Sequence, residues 1–520
     1  MILISALSFI LFCLTSLLGY AMLPKTLCFG AQNQAFQIGL GIVSASNLLL
    51  MISCFTPVTP WIGISLVLIL MLYYLKMNPT LFKRWWLDNK TELPWLLLCA
   101  GAGSIVTLLP ITWSDTHYYH YPLLKWISTF GILPGIGLID PTFSHAAGWF
   151  ALFAPFDTGI FSERLGTAGG ALTLGLCLYA ICRSSHVLVG LGALGIFFIL
   201  GLTHNIFASL SPDIMAQWIV LIAISLWILP CSQRLFREQL ILILLASGIS
   251  IRVTLLPVLL LFGFCHLLNQ RGRFSSLWIL LLLIPPILST LISSGCPLYP
   301  LSWFCVDGGI SSSGAKAMQA HIREIVIWCD NPPLEGSGIL GWFPSWFYCE
   351  YNRIPISFLL LGFLLLPYKK MQTYELQAVL ISLVMVIFFF FTAPASRYGA
   401  IWFLLPFLIA LQLRIKAPTF RPTNAVSFLI LILSIYVFWS LPPTHEKNYN
   451  HWLIPARAMQ FLTPVEPKTF LWHETTINAP WTHNQAPRCS TLTPPCATPE
   501  SLHNLTPLAP KKVSGFRHRK

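Results

Sequence analysis

Charge is what this 520-residue chain has least of: 9% of its residues are Asp, Glu, Lys or Arg, against 56% hydrophobic. An ordinary soluble domain carries roughly 25% charged residues, so a water-soluble globule is excluded and a multi-pass membrane protein is expected. Acids are scarcest, 18 against 31 Lys plus Arg. No nucleotide-binding P-loop, zincin or serine-hydrolase motif occurs, which sets ATPase and protease chemistry aside. The first apolar stretch, Ile2–Leu23, has neither a basic leader region nor a clear small-residue cleavage site, so it reads as a span and not as a removed signal peptide.

What is present is apolar length. A span needs about 20 mostly apolar residues, and about fourteen windows qualify, the last "AVSFLILILSIYVFWSL", 425–441. Residues 1–441 are therefore expected to be an all-α transmembrane domain, with 442–520 as a small polar tail. Basic residues in short loops mark the cytoplasmic side. Lys83/Arg84/Lys90, Arg183, Arg234/Arg237, Arg271/Arg273, Lys369/Lys370 and Arg414/Lys416/Arg421 fall in alternate connections. The other connections then face outward: 113–158, the surroundings of Asp213 and Arg252, 294–355, 393–399 and the tail. This bias, with the basic end "FRHRK", accounts for most of the net charge of +13 without a nucleic-acid partner.

Cysteine usage follows the same division. Of 14 cysteines, Cys13, Cys54, Cys99, Cys177 and Cys265 lie in apolar spans, and Cys28, Cys182 and Cys231 at the inner edge. Cys296, Cys305, Cys329, Cys349, Cys489 and Cys496 lie outside, an even set on the oxidising side. Cys489 with Cys496, in "CSTLTPPC", is the favoured pair; the connectivity of the other four stays open.

The densest polar chemistry follows the fourth span, in "TWSDTHYYHYPLLKWI", residues 112–127. From Tyr118 onward the order of apolar and polar residues predicts a short amphipathic helix lying along the interface, with Pro122 in its first turn and Gly131 and Pro134 ending it. An interfacial anchor explains the tyrosines, Trp126 and Lys125. It explains Asp115 less well, because an acid at an apolar boundary is unfavourable unless paired or used. His117 and His120, at i and i+3, can share a face with Asp115, and a loosely held divalent cation is the one cofactor this spacing admits.

Three more ionisable groups arrive from other outer-edge positions: Asp213 in "SLSPDIMAQW", Arg252 in "ASGISIRVTLLP" and Arg397 in "APASRYGAIWFLLP". Singly, each is equally well a helix cap or a snorkelling side chain. Together they put two acids and two arginines on one face. An outer-loop acid before an interfacial helix, then "SPDI", then a basic residue in "SGISIRVTLLP", then "RYGAIWFLLP", resembles the running order of GT-C superfamily glycosyltransferases. "DTHYYHYPLLKWISTFGILPGIG", "SGCPLYPLSWFC" and the two tail cysteines resemble, over most of the chain, a little-characterised family of bacterial multi-pass membrane proteins.

The resemblance implies a GT-C-like helical bundle in the bacterial inner membrane, active face outward, using a polyprenyl-phosphate-linked sugar and an envelope glycan or lipid acceptor. It makes Asp115 the candidate base, Asp213 a secondary acid, and Arg252 and Arg397 phosphate binders, with His117, His120 and Lys125 holding acceptor or phosphate. Trp303, Trp328, Trp342 and Trp346 of the 294–355 loop are candidates for stacking on sugar rings, against a plainer role in the loop's own core. The competing expectation is a non-catalytic envelope scaffold or a lipid-linked glycan transporter. A transporter would show mid-span charges and repeated halves, and neither is seen.

This topology is open to direct test. Cysteine-accessibility labelling is expected to place Asp115 and Lys369 on opposite sides of the membrane; labelling from the same side would overturn the assignment.

Overall fold

The computed structural model describes residues 2–22, 34–77, 79–108, 115–145, 148–161, 164–183, 187–203, 206–228, 234–269, 276–302, 304–306, 314–316, 318, 320, 343, 346–347, 350–392, 396–414, 467–472, 475–480, 505–507 and 516–518. Up to Arg414 the regular elements are all helical. Four described helices, Ile2–Met22, Gln34–Ser53, Leu165–Arg183 and Thr373–Thr392, are long and apolar enough to cross a membrane. Shorter apolar helices include Asp213–Ile228 and Asn352–Leu365. The expected last span at 425–441 and the Cys489–Cys496 pair lie outside the described residues. Within the tail the described segments are two short antiparallel pairs, Pro467–Trp472 with Thr475–Pro480 and Leu505–Pro507 with Phe516–His518.

Small residues let the helices approach closely, as packing without a hydrophobic drive requires. A Cβ on Gly41 would run into the Thr15 carbonyl, so Ile2–Met22 and Gln34–Ser53 meet backbone to backbone. At the centre is Asp213–Ile228, every residue of which is buried. By contrast, Leu376, Leu380, Val384, Ile387 and Phe391 of Thr373–Thr392 are exposed. Such a stripe suits hydrocarbon and not water. Some hydroxyls inside the apolar bundle are satisfied within their own helices, as when Thr15 Oγ1 donates to Leu11 O at 2.6 Å and Ser225 Oγ to Leu221 O at 2.7 Å.

Two sequence expectations are refined. The segment after Asp115 is a π-helical turn, Thr116–His120, leading into the helix Tyr121–Phe130. Pro122 sits in its first turn, and Gly131, at φ +78°, ends it. The helix is packed inside the bundle and not laid along its outside, since Tyr121 through Ile127 are all buried, Trp126 and Lys125 among them. Its polar side chains tolerate burial because they have partners: Tyr121 Oη donates to Asp157 Oδ1 at 2.9 Å, and the Lys125 ammonium lies 5.1 Å from the Tyr121 ring centroid. A partner such as Asp157, 36 residues from Tyr121, leaves no trace in local periodicity. Secondly, among the four cysteines whose connectivity was open, Cys296 is bonded to Cys305. Cys329 and Cys349 lie outside the described residues.

Two measurements check these points. Non-reducing peptide mapping is expected to recover a Cys296–Cys305 cross-link, whose removal should lower stability by about 2–3 kcal/mol, the size expected for so short a loop. Gly41→Leu should destabilise the helical domain far more than a surface change, because the clash is with backbone.

Candidate functional site

Asp213 opens the central helix, where the N-terminal dipole favours a carboxylate. The chain is turned into this position by hydroxyls: Ser209 Oγ accepts from Ser211 N at 3.1 Å, and Ser211 Oγ accepts from Asp213 N at 3.3 Å. One turn along, Gln217 Nε2 donates to Tyr398 O at 2.6 Å and its Oε1 accepts from Ile401 N at 3.1 Å. A single buried amide thus fastens the first turn of the helix Ser396–Arg414 against the start of Asp213–Ile228.

Arg252 sits in extended conformation just before the 3-10 turn Val253–Leu255. Its loop is held by Gly148 N donating to Ser250 O at 2.9 Å. Arg252 Nη1 lies 2.9 Å from Asp213 Oδ1. Arg397, in the first turn of Ser396–Arg414, places Nη1 3.4 Å from Asp115 Oδ2 and donates from Nη2 to Tyr398 Oη at 2.6 Å. Asp115 is positioned in turn by Thr116, whose Oγ1 accepts from Leu210 N at 3.4 Å.

Tyr398 joins the two pairs. Its ring centroid is 4.8 Å from the Arg252 guanidinium carbon and 4.7 Å from that of Arg397, within cation–π range of both. The four charges predicted for one face thus form one cluster of two acids, two arginines and a shared tyrosine. Within it the acids differ. The Asp213 side chain is 4% exposed and that of Asp115 is 28% exposed, so Asp115 is the acid a substrate can reach.

Around Asp115 lie neutral polar rings. Burial pushes the imidazole of His120 down to about 3 against the opposing pull of Asp115, and that of His145 down to about 4 with the positive charge of Arg252 adding to the effect. Burial, then the Asp115 carboxylate, holds the Tyr119 phenol well above its usual range. At neutral pH all three are uncharged hydrogen-bonding groups.

The remaining expected site residues are placed differently. Lys125 lies on the buried helix Tyr121–Phe130, with its ammonium 5.1 Å from the Tyr121 ring centroid. His117 lies in the same turn as Asp115, but its side chain is outside what the structure describes, as are Trp303, Trp328 and Trp342. Trp346 packs against Phe343 and Phe390, in line with the plainer aromatic role. His120 is set between the Tyr119 and Phe150 rings, at 4.3 and 5.3 Å. Among the described residues no three His, Cys, Asp or Glu are grouped to hold a metal ion. Tyr398, Gln217, Tyr119, His145 and Tyr299 were not singled out from sequence. Only Tyr398, adjacent to Arg397 in "SRYG", carried a local hint.

The arrangement supplies a reachable carboxylate, two guanidiniums suited to phosphate oxygens, and neutral hydrogen-bonding rings, all in surroundings where charge acts strongly. Neither the curated proteins nor the solved structures include a match to this chain. Residues 1–404 match the family described as domain of unknown function DUF8201, and the chain belongs to that family.

Proposed function

We propose that this protein is a membrane glycosyltransferase with a GT-C-like bundle of about fourteen spans. In the bacterial inner membrane it moves a sugar from a polyprenyl-phosphate carrier to an envelope glycan or lipid acceptor on the non-cytoplasmic face. The observation that carries the reading is the convergence of Asp115, Asp213, Arg252 and Arg397 around Tyr398 from four distant parts of the chain. Beside apolar spans such a cluster is unfavourable unless paired or used, and it marks a functional site by default.

The chemistry divides among these residues. Asp115 takes the proton from the acceptor hydroxyl as that oxygen attacks the anomeric carbon of the donor. The bond from the anomeric carbon to the phosphate oxygen breaks, and its electron pair leaves with the polyprenyl phosphate. Arg252 and Arg397 neutralise the charge growing on that phosphate, for which planar guanidiniums are suited. Asp213, paired with Arg252 at 2.9 Å, acts as a positioning residue that holds it. Attack opposite the leaving group inverts the anomeric centre.

A second reading keeps the same architecture without turnover, as an envelope scaffold or lipid-linked glycan transporter. It is favoured by one feature: both ion pairs also fasten separate segments together, as purely structural pairs would.

Purified protein in lipid nanodiscs, given polyprenyl-phosphate sugars and candidate acceptors, distinguishes the two. Asp115→Asn should retain fold and donor binding but lower turnover by roughly 10²–10⁴-fold, the usual worth of a positioned base. Arg397→Ala should instead weaken donor binding roughly tenfold or more. Release of no polyprenyl phosphate by the unaltered protein from any donor would leave the scaffold.

A further inference from the structure

Beside the charged cluster the bundle buries polar atoms that the fold itself does not satisfy. His120 is 1% exposed and neither of its ring nitrogens has a hydrogen-bond partner. The same holds for Ser144 Oγ and for Tyr299 Oη, both in residues with 0% exposure. A buried donor or acceptor left unpaired is unfavourable, and these three residues stand out among such atoms because ring contacts through Tyr119 and His145, the residue after Ser144, link their segments to the charged cluster. These belong to three separate segments: the turn Thr116–His120, the 3-10 turn Pro141–Ser144, and the loop after the helix Ser276–Ser294 that the Cys296–Cys305 bond closes.

Ring contacts join them into one wall. Tyr119 lies 4.3 Å from His120 and 6.3 Å from His145 between centroids, and His145 lies 5.4 Å from Tyr299. The wall begins at Asp115, one residue before the turn that carries Tyr119 and His120, and the charges of Arg252 and Asp115 act on both imidazoles. A run of aromatic faces edged with hydrogen-bonding atoms therefore extends from the acid and arginine cluster into the protein.

We infer that Tyr119, His120, Ser144, His145 and Tyr299 form a subsite for an uncharged, hydroxyl-rich ring, the glycosyl part of the donor, with the phosphate at the arginines. The inference rests on the proposed glycosyl transfer and assigns its sugar end. The chemistry selects this ligand. A neutral imidazole offers one donor and one acceptor, and the serine and tyrosine hydroxyls offer both, which matches sugar hydroxyls that also do both. An anion would call for a charged imidazolium, whereas burial keeps both rings neutral. A hydrocarbon chain would leave every one of these atoms unpaired. A site built on hydroxyl pairing also discriminates strongly against ligands that lack the hydroxyls.

The test uses the full chain in nanodiscs and four probes: undecaprenyl phosphate alone, and the same carrier bearing glucose, N-acetylglucosamine or a pentose. The unaltered protein is expected to bind at least one glycosylated carrier about tenfold more tightly than the bare phosphate, the worth of one or two hydrogen bonds. Tyr299→Phe and Ser144→Ala each delete a single oxygen or hydroxyl and should remove most of that preference without changing affinity for the bare carrier. His120→Ala should do the same, and His120→Gln should restore part of it. Equal binding of all four probes by the unaltered protein, or full preference retained by both Tyr299→Phe and Ser144→Ala, would overturn the subsite while leaving carrier binding standing. No binding of any probe would overturn the glycosyl-transfer reading and the subsite with it.

Discussion

Two guanidiniums and two carboxylates cannot be taken out of water singly. Removing one partner of a buried ion pair typically destabilises by about 3–5 kcal/mol, because the other charge is left uncompensated. Asp115, Asp213, Arg252 and Arg397 therefore constrain the bundle: the chain must bring the turn Thr116–His120, the helix Asp213–Ile228, the turn before Val253 and the helix Ser396–Arg414 to one place. Tyr398 removes the alternative of two independent pairs. Its ring faces both arginines and its hydroxyl accepts from Arg397, so displacement of either pair is felt by the other.

The apolar packing around this cluster is arranged to hold the backbone that carries it. Gln217 ties two helix starts by both ends of one amide, and Thr116 ties the Asp115 turn to the strand of loop before Asp213. Polar ties also close other parts of the bundle. Arg183 Nε donates to Glu92 Oε2 at 2.9 Å, where Tyr179 Oη also donates at 2.8 Å, and His266 Nδ1 meets Glu238 Oε2 at 2.6 Å. Trp85 Nε1 donates to Ser16 Oγ at 3.0 Å, which donates to Gln34 Oε1 at 2.8 Å. Between such ties the helices are held by shape alone, as the backbone contact at Gly41 illustrates.

What could be read from the sequence follows from this division. Helicity and membrane character were legible because apolar length is a local property. The four charges were legible because an ionisable residue beside an apolar run is conspicuous wherever it falls. Their pairing was not, since nothing local to Arg252 says that Asp213 and not Asp115 lies across from it. The helix Tyr121–Phe130 was predicted in extent but not in its burial. Its lysine and tyrosine resembled interfacial anchors, and the partner that suits the tyrosine hydroxyl to burial, Asp157, comes from 36 residues away. His145 and Tyr299 passed unnoticed for the same reason. Each is unremarkable in its own segment, and they become a wall only when the fold stacks them.

The unequal geometry of the two ion pairs bears on how such a site would operate in the proposed reaction. Arg252 and Asp213 are 2.9 Å apart with the acid almost fully enclosed, whereas Arg397 and Asp115 are 3.4 Å apart with the acid partly open. Coulomb attraction is stronger at the shorter distance and in the drier surroundings, so the first pair is the fixed one and the second is the one an incoming anion can rearrange. A donor phosphate arriving at Arg397 would compete with Asp115 for the guanidinium. Asp115 would then be freed from its guanidinium partner to accept from the acceptor hydroxyl with the leaving group already in place, while Asp213 kept Arg252 where it stood. In a scaffold, neither the longer contact nor the exposure of Asp115 would have a use.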